Sequence, residues 1–226
     1  MERTGHPCRA VETVHVGPPF ITTLGIAVTV SYEIILHTAN LYITVLRKFV
    51  ETGERLQAES LISSASRMAG TLMFRTFTFD LSRSKPGEVV LSEEANNKGA
   101  HLTNIVNVTL EGLGDKVDVE KAKASLDVSA ISRWSLLETQ SRFELLFREI
   151  AKTVGLSLPE AGAAAAIASG ILVHESPPRL DIDRAYIIAI YGHIEALKKV
   201  PAHLKENGEA PPSGATAAKS RWFKFW

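Results

Sequence analysis

Apolar residues recur at three-and-four spacing through most of the chain, and that period predicts a mainly α-helical bundle. The first such stretch follows Pro18-Pro19. Its residues Leu24, Val28, Ile35, Tyr42, Val45 and Phe49 share one broad stripe, and the pattern runs on past Arg47, Lys48 and Glu51 to Leu56. Leu61, Ile62, Ala65, Met68, Ala69, Leu72 and Met73 repeat the period over 59–74 and are expected to pack back on the first helix. Asp118 to Ala124 reads as a short charged helix. From Ser132 onward Trp134, Leu137, Phe143, Leu146, Phe147, Ile150 and Val154 oppose Glu138, Arg142, Glu144, Arg148 and Glu149, with Gly155 as the natural stop.

The next helix announces its own start. Ser157-Leu-Pro159-Glu160 has capping-box spacing with proline inside the first turn. The residues that follow, through Val173, are nearly all small, so a buried central helix with a tight packing seam is expected. Gly162, Ala166 and Gly170 repeat every four residues, the spacing of a close helix–helix contact. A last helix runs from Tyr186 to Leu197, capped by Asp181 or Asp183 and ended by Lys198-Lys199 and Pro201.

Between residues 75 and 111 the period changes to two. Phe77, Phe79 and Leu81 alternate with Thr76, Thr78 and Asp80; Ser84-Lys-Pro-Gly87 supplies a turn; Val89-Val90-Leu91 offers a return strand. Asn96-Asn-Lys-Gly99 reads as another turn before Val106, Val108 and Leu110 alternate again. A small antiparallel β meander is therefore expected over 75–111, making α+β the alternative class. Residues 102–113 also draw as a helix, with Leu102, Ile105, Thr109 and Leu113 aligned.

Composition narrows the function classes. Twenty-five basic residues balance twenty-five acidic ones, so no overall field attracts nucleic acid or an anionic membrane. One cysteine, Cys8, excludes a disulfide scaffold and a thiolate metal cluster and fits a reducing, cytoplasmic setting. Residues 1–17 form a polar leader without a secretory signal. Residues 20–46 are long enough to span a bilayer, but Glu33 near the middle costs about 2.5–3.5 kcal/mol there, and the many hydroxyl side chains dilute the apolar gain. A soluble helix is the first reading of that stretch and a membrane span the second.

Candidate chemistry is sparse. Glu33 and His37 are four residues apart on one helical face, a pair that would hold a metal or pass a proton if buried together; a hydrogen-bonded polar pair inside the bundle is the plainer expectation. Glu12-Thr-Val-His15 has di-iron spacing in a single copy, and His193-Ile-Glu195 lacks the cysteine pair of a zinc deaminase. Neither a nucleophile elbow nor a phosphate loop occurs. No cofactor is expected, and the balance leans away from an enzyme.

The most distinctive segment is 219–226. Lys219, Arg221 and Lys224 alternate with Trp222, Phe223, Phe225 and Trp226, behind a linker-like stretch, 206–218, rich in small residues, proline and glycine. Rings and cations of this kind suit interface hot spots and bilayer headgroups; the plainer alternative is a run that folds back to fill a groove on its own domain as part of the core, and stacking on unpaired bases ranks below these. The sequence thus predicts one helical domain over 18–205 and a C-terminal docking tail. Its expected role is that of a non-enzymatic adaptor or assembly subunit, cytoplasmic or peripheral at a membrane, that self-associates through its apolar helices and binds a protein partner or membrane through the tail. The rival readings are an anchored protein with a span at 20–46 and a metalloprotein or enzyme built on Glu33 and His37.

Overall fold

A computed structural model describes residues 31–51, 58–124, 132–178 and 180–202. Seven helices occur among them: α1 Tyr32–Glu51, α2 Ala58–Phe74, α3 Glu93–Gly112, α4 Val119–Ala124, α5 Leu136–Thr153, α6 Leu158–His174 and α7 Ile182–Leu197. The mainly helical class expected from the apolar period is what the chain adopts. The leader 1–17, the linker 206–218 and the tail 219–226 lie outside the described residues.

The bundle is organised around α2. Every residue from Ser60 to Phe74 is buried, so this helix is enclosed on all sides. It packs principally on α6 and α7; α5, α1 and α3 complete the surround, while α1 and α3 also lie on α6. The expected contact of α2 with the first helix exists but is secondary. On α1 the core stripe is Ala39, Tyr42, Ile43 and Leu46, and Phe49, placed on the stripe by sequence, is about half exposed. Tyr42 stacks on Phe147 at 3.9 Å between ring centroids and donates its hydroxyl to the Phe147 carbonyl at 3.0 Å.

Local signals set the helix ends. Ser135 and Glu138 form a reciprocal capping box at the start of α5. Glu160 accepts from the Ser157 backbone N–H at 2.7 Å, and Asp181 caps α7 by accepting from the Asp183 N–H at 2.9 Å. Gly155 closes α5 in the left-handed region, at φ 79°, as a helix stop requires.

The β meander is corrected. Among the described residues, 75–92 form no strand, and 93–112 are helix α3. Phe77 and Phe79 alternate because both rings gather on Phe74, at 5.3 and 5.8 Å, as the chain wraps over the end of α2. Ser92 caps α3 by accepting from the Ala95 N–H, so Asn96–Gly99 continue as helix instead of turning. Leu102, Val106 and Leu110 are buried at four-residue spacing, whereas Val108 faces out. The segment Val89-Val90-Leu91 does pair, but with the chain after α7. Gly87 and Val90 donate to the carbonyls of Val200 and Lys198, and Val200 donates to Glu88, each at 2.8 Å.

No single helix among the described residues is long and apolar enough to cross a membrane; α5 and α6, taken together, meet at a bend of 113°. Of the stretch 20–46, residues 31–46 are described and open α1, and 20–30 lie outside.

Small residues let the central helices touch. A side-chain carbon added at Gly70 would lie 2.6 Å from the His193 carbonyl and 2.7 Å from Ala196 Cβ, so α2 and α7 meet backbone to backbone there. The expected α6 seam is also real: a carbon at Gly162 would lie 3.3 Å from the Ala69 carbonyl, and one at Gly170 would lie 2.9 Å from Thr109. Helix propensity alone favours alanine at Gly70 by about 1 kcal/mol, but the obstacle is backbone that cannot yield. Gly70→Ala is therefore expected to lower stability by about 1–3 kcal/mol in urea unfolding, while Gly112→Ala, which meets nothing within 4 Å, leaves it unchanged or raised.

Candidate functional site

The residues singled out by sequence disperse. Glu33 and His37 are exposed on the outer face of α1, so they form neither a buried metal pair nor a polar pair inside the bundle. Their one-face spacing is that of a solvated helix surface. Among the described residues no group of three His, Cys, Asp or Glu side chains is placed to hold a metal. Lys219, Arg221, Trp222, Phe223, Lys224, Phe225 and Trp226 fall outside the described residues.

The structure instead gathers polar groups around α2 and the end of the described chain. Arg67, near the middle of α2, donates Nε to Glu195 Oε2 on α7 at 2.9 Å and also reaches the Trp134 carbonyl; Lys199 Nζ caps the other oxygen of Glu195 at 2.8 Å. The Arg67 and Glu195 side chains are 7% and 10% exposed, so this ion pair is nearly dry. Such a pair gains little net stability over an apolar packing, but it fixes which faces of α2 and α7 meet.

A second pair binds the end of the described chain. Arg75 forks onto Glu144 of α5 through Nε and Nη2, at 2.8 and 3.1 Å, and the same Nη2 reaches the Ala202 carbonyl. Gln140 spans the gap: its amide N–H donates to Thr71 Oγ1 at 3.1 Å, and its carbonyl oxygen accepts from the Ala202 N–H at 3.0 Å. Both backbone groups of Ala202 are thereby held by α2 and α5. With the antiparallel pairing of 198–200 to 87–90, the segment after α7 is bound along its length.

One arrangement has the makings of chemistry. Ser169 Oγ lies 3.4 Å from His193 Nε2, the relation of a nucleophile to its base, but both residues are fully buried. The Ser169 hydroxyl donates to the Ala166 carbonyl at 2.8 Å, which commits its proton to the helix. His193 Nδ1 has no hydrogen-bond partner, and burial pushes the imidazole pKa down from 6.5 to about 3. The group is a neutral core histidine.

Sequence reasoning missed Arg67–Glu195 and Arg75–Glu144. The legible signal was an arginine inside the otherwise small and apolar run of residues 60–74, because a cation enclosed there requires a carboxylate from another element. No protein-family model matches the chain, and no curated protein or solved structure matches it.

Two outcomes are expected. Glu144 is 1% exposed, so Glu144→Ala strands the Arg75 guanidinium against α5 and should cost about 3 kcal/mol in urea unfolding, the usual loss when one member of a buried pair is removed. His193 takes up a proton near pH 6.5 in the unfolded chain but only near pH 3 in the folded one. Its folded pKa is depressed, and the charged form is the one excluded by folding, so its contribution is undiminished above pH 6.5 and is lost as pH falls toward 3. Unfolding at pH 7.5 and pH 5 should show wild-type stability falling by about 2 kcal/mol more than that of His193→Gln.

Proposed function

We propose that the protein is a non-enzymatic helical adaptor whose body serves as a platform and whose residues 219–226 dock to a partner surface. The observation that supports this reading is the clamp on Ala202. The end of the described chain is held by Gln140 and Arg75, and the sequence from residue 206 has linker composition. A held segment followed in sequence by a linker composition and a run of rings and cations suits a tethered anchor. Tryptophan, phenylalanine and arginine concentrate binding energy in small areas, and the anchor is short, so attachment gains strength from several copies or a second contact.

Self-association remains part of this proposal, but not through the small-residue seam of α6. Gly162 and Gly170 face α2 and α3 of their own body. Among the exposed apolar side chains of the described residues, α1 contributes Tyr32, Ile34 and Phe49.

Deleting residues 219–226 is expected to abolish co-purification with the cellular target, or co-sedimentation with anionic vesicles where the target is lipid. The thermal unfolding midpoint should fall by no more than about 4 °C. A marked drop in the midpoint would place the tail in the folded core and sink the reading.

A further inference from the structure

A groove runs along α3 where it leans away from α7. It holds about 430 Å³ and is lined by Asn96, Ala100, Thr103, Asn104 and Asn107 of α3, over Ala95 and Gly99, with Ile194 of α7 and Lys198 just after it as the opposite wall. The small residues make a flat floor. The three asparagines each carry an amide donor and a carbonyl acceptor, so together they offer what an extended backbone needs on both sides of its peptide units. Ile194 in the wall is 40% exposed, and Val89, which pairs with Lys199, and Leu91 beside it are 58% and 79% exposed. Lys198 is the one charged residue of the lining, and exposed Glu93 and Glu94 immediately precede its first residue, Ala95.

We infer that this groove is a seat for an extended peptide, and that its occupant is residues 219–226 of the same chain. The inference rests on the reading of that segment as a docking element and adds how it is regulated. Three properties of the chain select this occupant. The exit is close, since Lys198 lines the groove and Ala202 lies at most about 14 Å of chain beyond it. The linker 206–218 and the three residues before it give sixteen residues of connection with a root-mean-square reach of about 22 Å, which covers a face about 18 Å long from Ala95 to Asn107. The chemistry also matches. Rings of Trp222, Phe223, Phe225 and Trp226 find the small-residue floor and the exposed Leu91, Val89 and Ile194, while Lys219, Arg221 and Lys224 meet Glu93 and Glu94. In the seated state the rings are withheld from any partner.

Trypsin cleavage after Arg221 in the full-length protein, measured by mass spectrometry against cleavage after Lys205 in the linker, tests the seat. In the absence of a partner the wild-type chain should be cut at Arg221 about five- to tenfold more slowly than either Ala100→Phe, which fills the groove, or Asn104→Ala, which removes one amide; an effective concentration near the millimolar level gives a protection of this size. Both substitutions are at exposed helix positions, and unchanged thermal unfolding confirms that the body is intact. Equal cleavage in all three proteins overturns the inference and leaves docking to a partner standing. Protection that survives both substitutions places the tail elsewhere and overturns it too, as does protection lost on dilution, which assigns the tail to a second copy. Loss of target binding on deleting 219–226 is a separate readout, so the two readings fail independently.

Discussion

The rest of the structure follows from the enclosure of α2. Fifteen successive residues, Ser60 to Phe74, are removed from water, although they include four serines, a threonine and an arginine. A helix satisfies its own backbone, but its polar side chains need partners within it or on the helices around it, and among the described residues only the Ser63 and Ser64 hydroxyls of α2 lack one. Ser66 does so within its own helix by donating to the Ser63 carbonyl at 3.0 Å. Thr71 takes its bond from Gln140 and Arg67 takes its carboxylate from Glu195. The neighbours are thereby chosen in register as well as in identity, since one helical turn of slip in α7 would leave the guanidinium uncompensated.

Enclosure also dictates side-chain size. Five helices cannot all approach one helix at an ordinary interaxial distance unless some contacts are made by glycine, alanine and serine. Gly70 against the α7 backbone, Gly162 against Ala69 and the alanine-rich face of α6 are those contacts. The large side chains sit at the ends and flanks: the Phe74, Phe77 and Phe79 cluster closes one end, and the Tyr42–Phe147 stack joins α1 to α5. Dense small-residue packing is stiff, because neither backbone has a rotamer to change. The clamp on Ala202 is built on this stiff part, through Arg75 just beyond α2 and Gln140 on α5.

Helices with a one-sided apolar face were legible in the sequence because their period records the burial directly. The starts at Ser157 and Asp181 and the stop at Gly155 were equally plain, each being a local event with its own residue signature. Two kinds of information were not. In 75–91 the alternation of Phe77 and Phe79 is real, but it records three rings meeting over the end of a helix, and a period over five residues cannot distinguish that from a pleated strand. In α3 the asparagines and Gly99 lowered the local helix preference, and packing against α6 and α7 with the Ser92 cap decided the outcome. Glu33 and His37 illustrate the converse. Four-residue spacing places two side chains on one face without saying which face is inward, and here Thr38, Ala39 and Tyr42 are buried while the pair is exposed. The partners of Arg67 and Arg75 are separated from them by 128 and 69 residues, a distance no local pattern reaches.

An intramolecular seat and an intermolecular docking element are compatible only if the seat is the weaker of the two. At an effective concentration of about 1 mM, a segment with an intrinsic dissociation constant of about 0.1 mM is seated roughly nine-tenths of the time. The free fraction is then about one-tenth, and the apparent affinity for an outside partner falls about tenfold. That is a small tax on a partner that engages several aromatic anchors at once, and a large one on adventitious apolar surfaces that engage a single ring. The amide-lined character of the groove fits the weak side of this balance: a seat that bonds backbone would hold the segment while leaving the rings' full burial to a better-matched surface. Selectivity then arises from competition between two sites of unequal depth, one of which the chain carries beside its own exit.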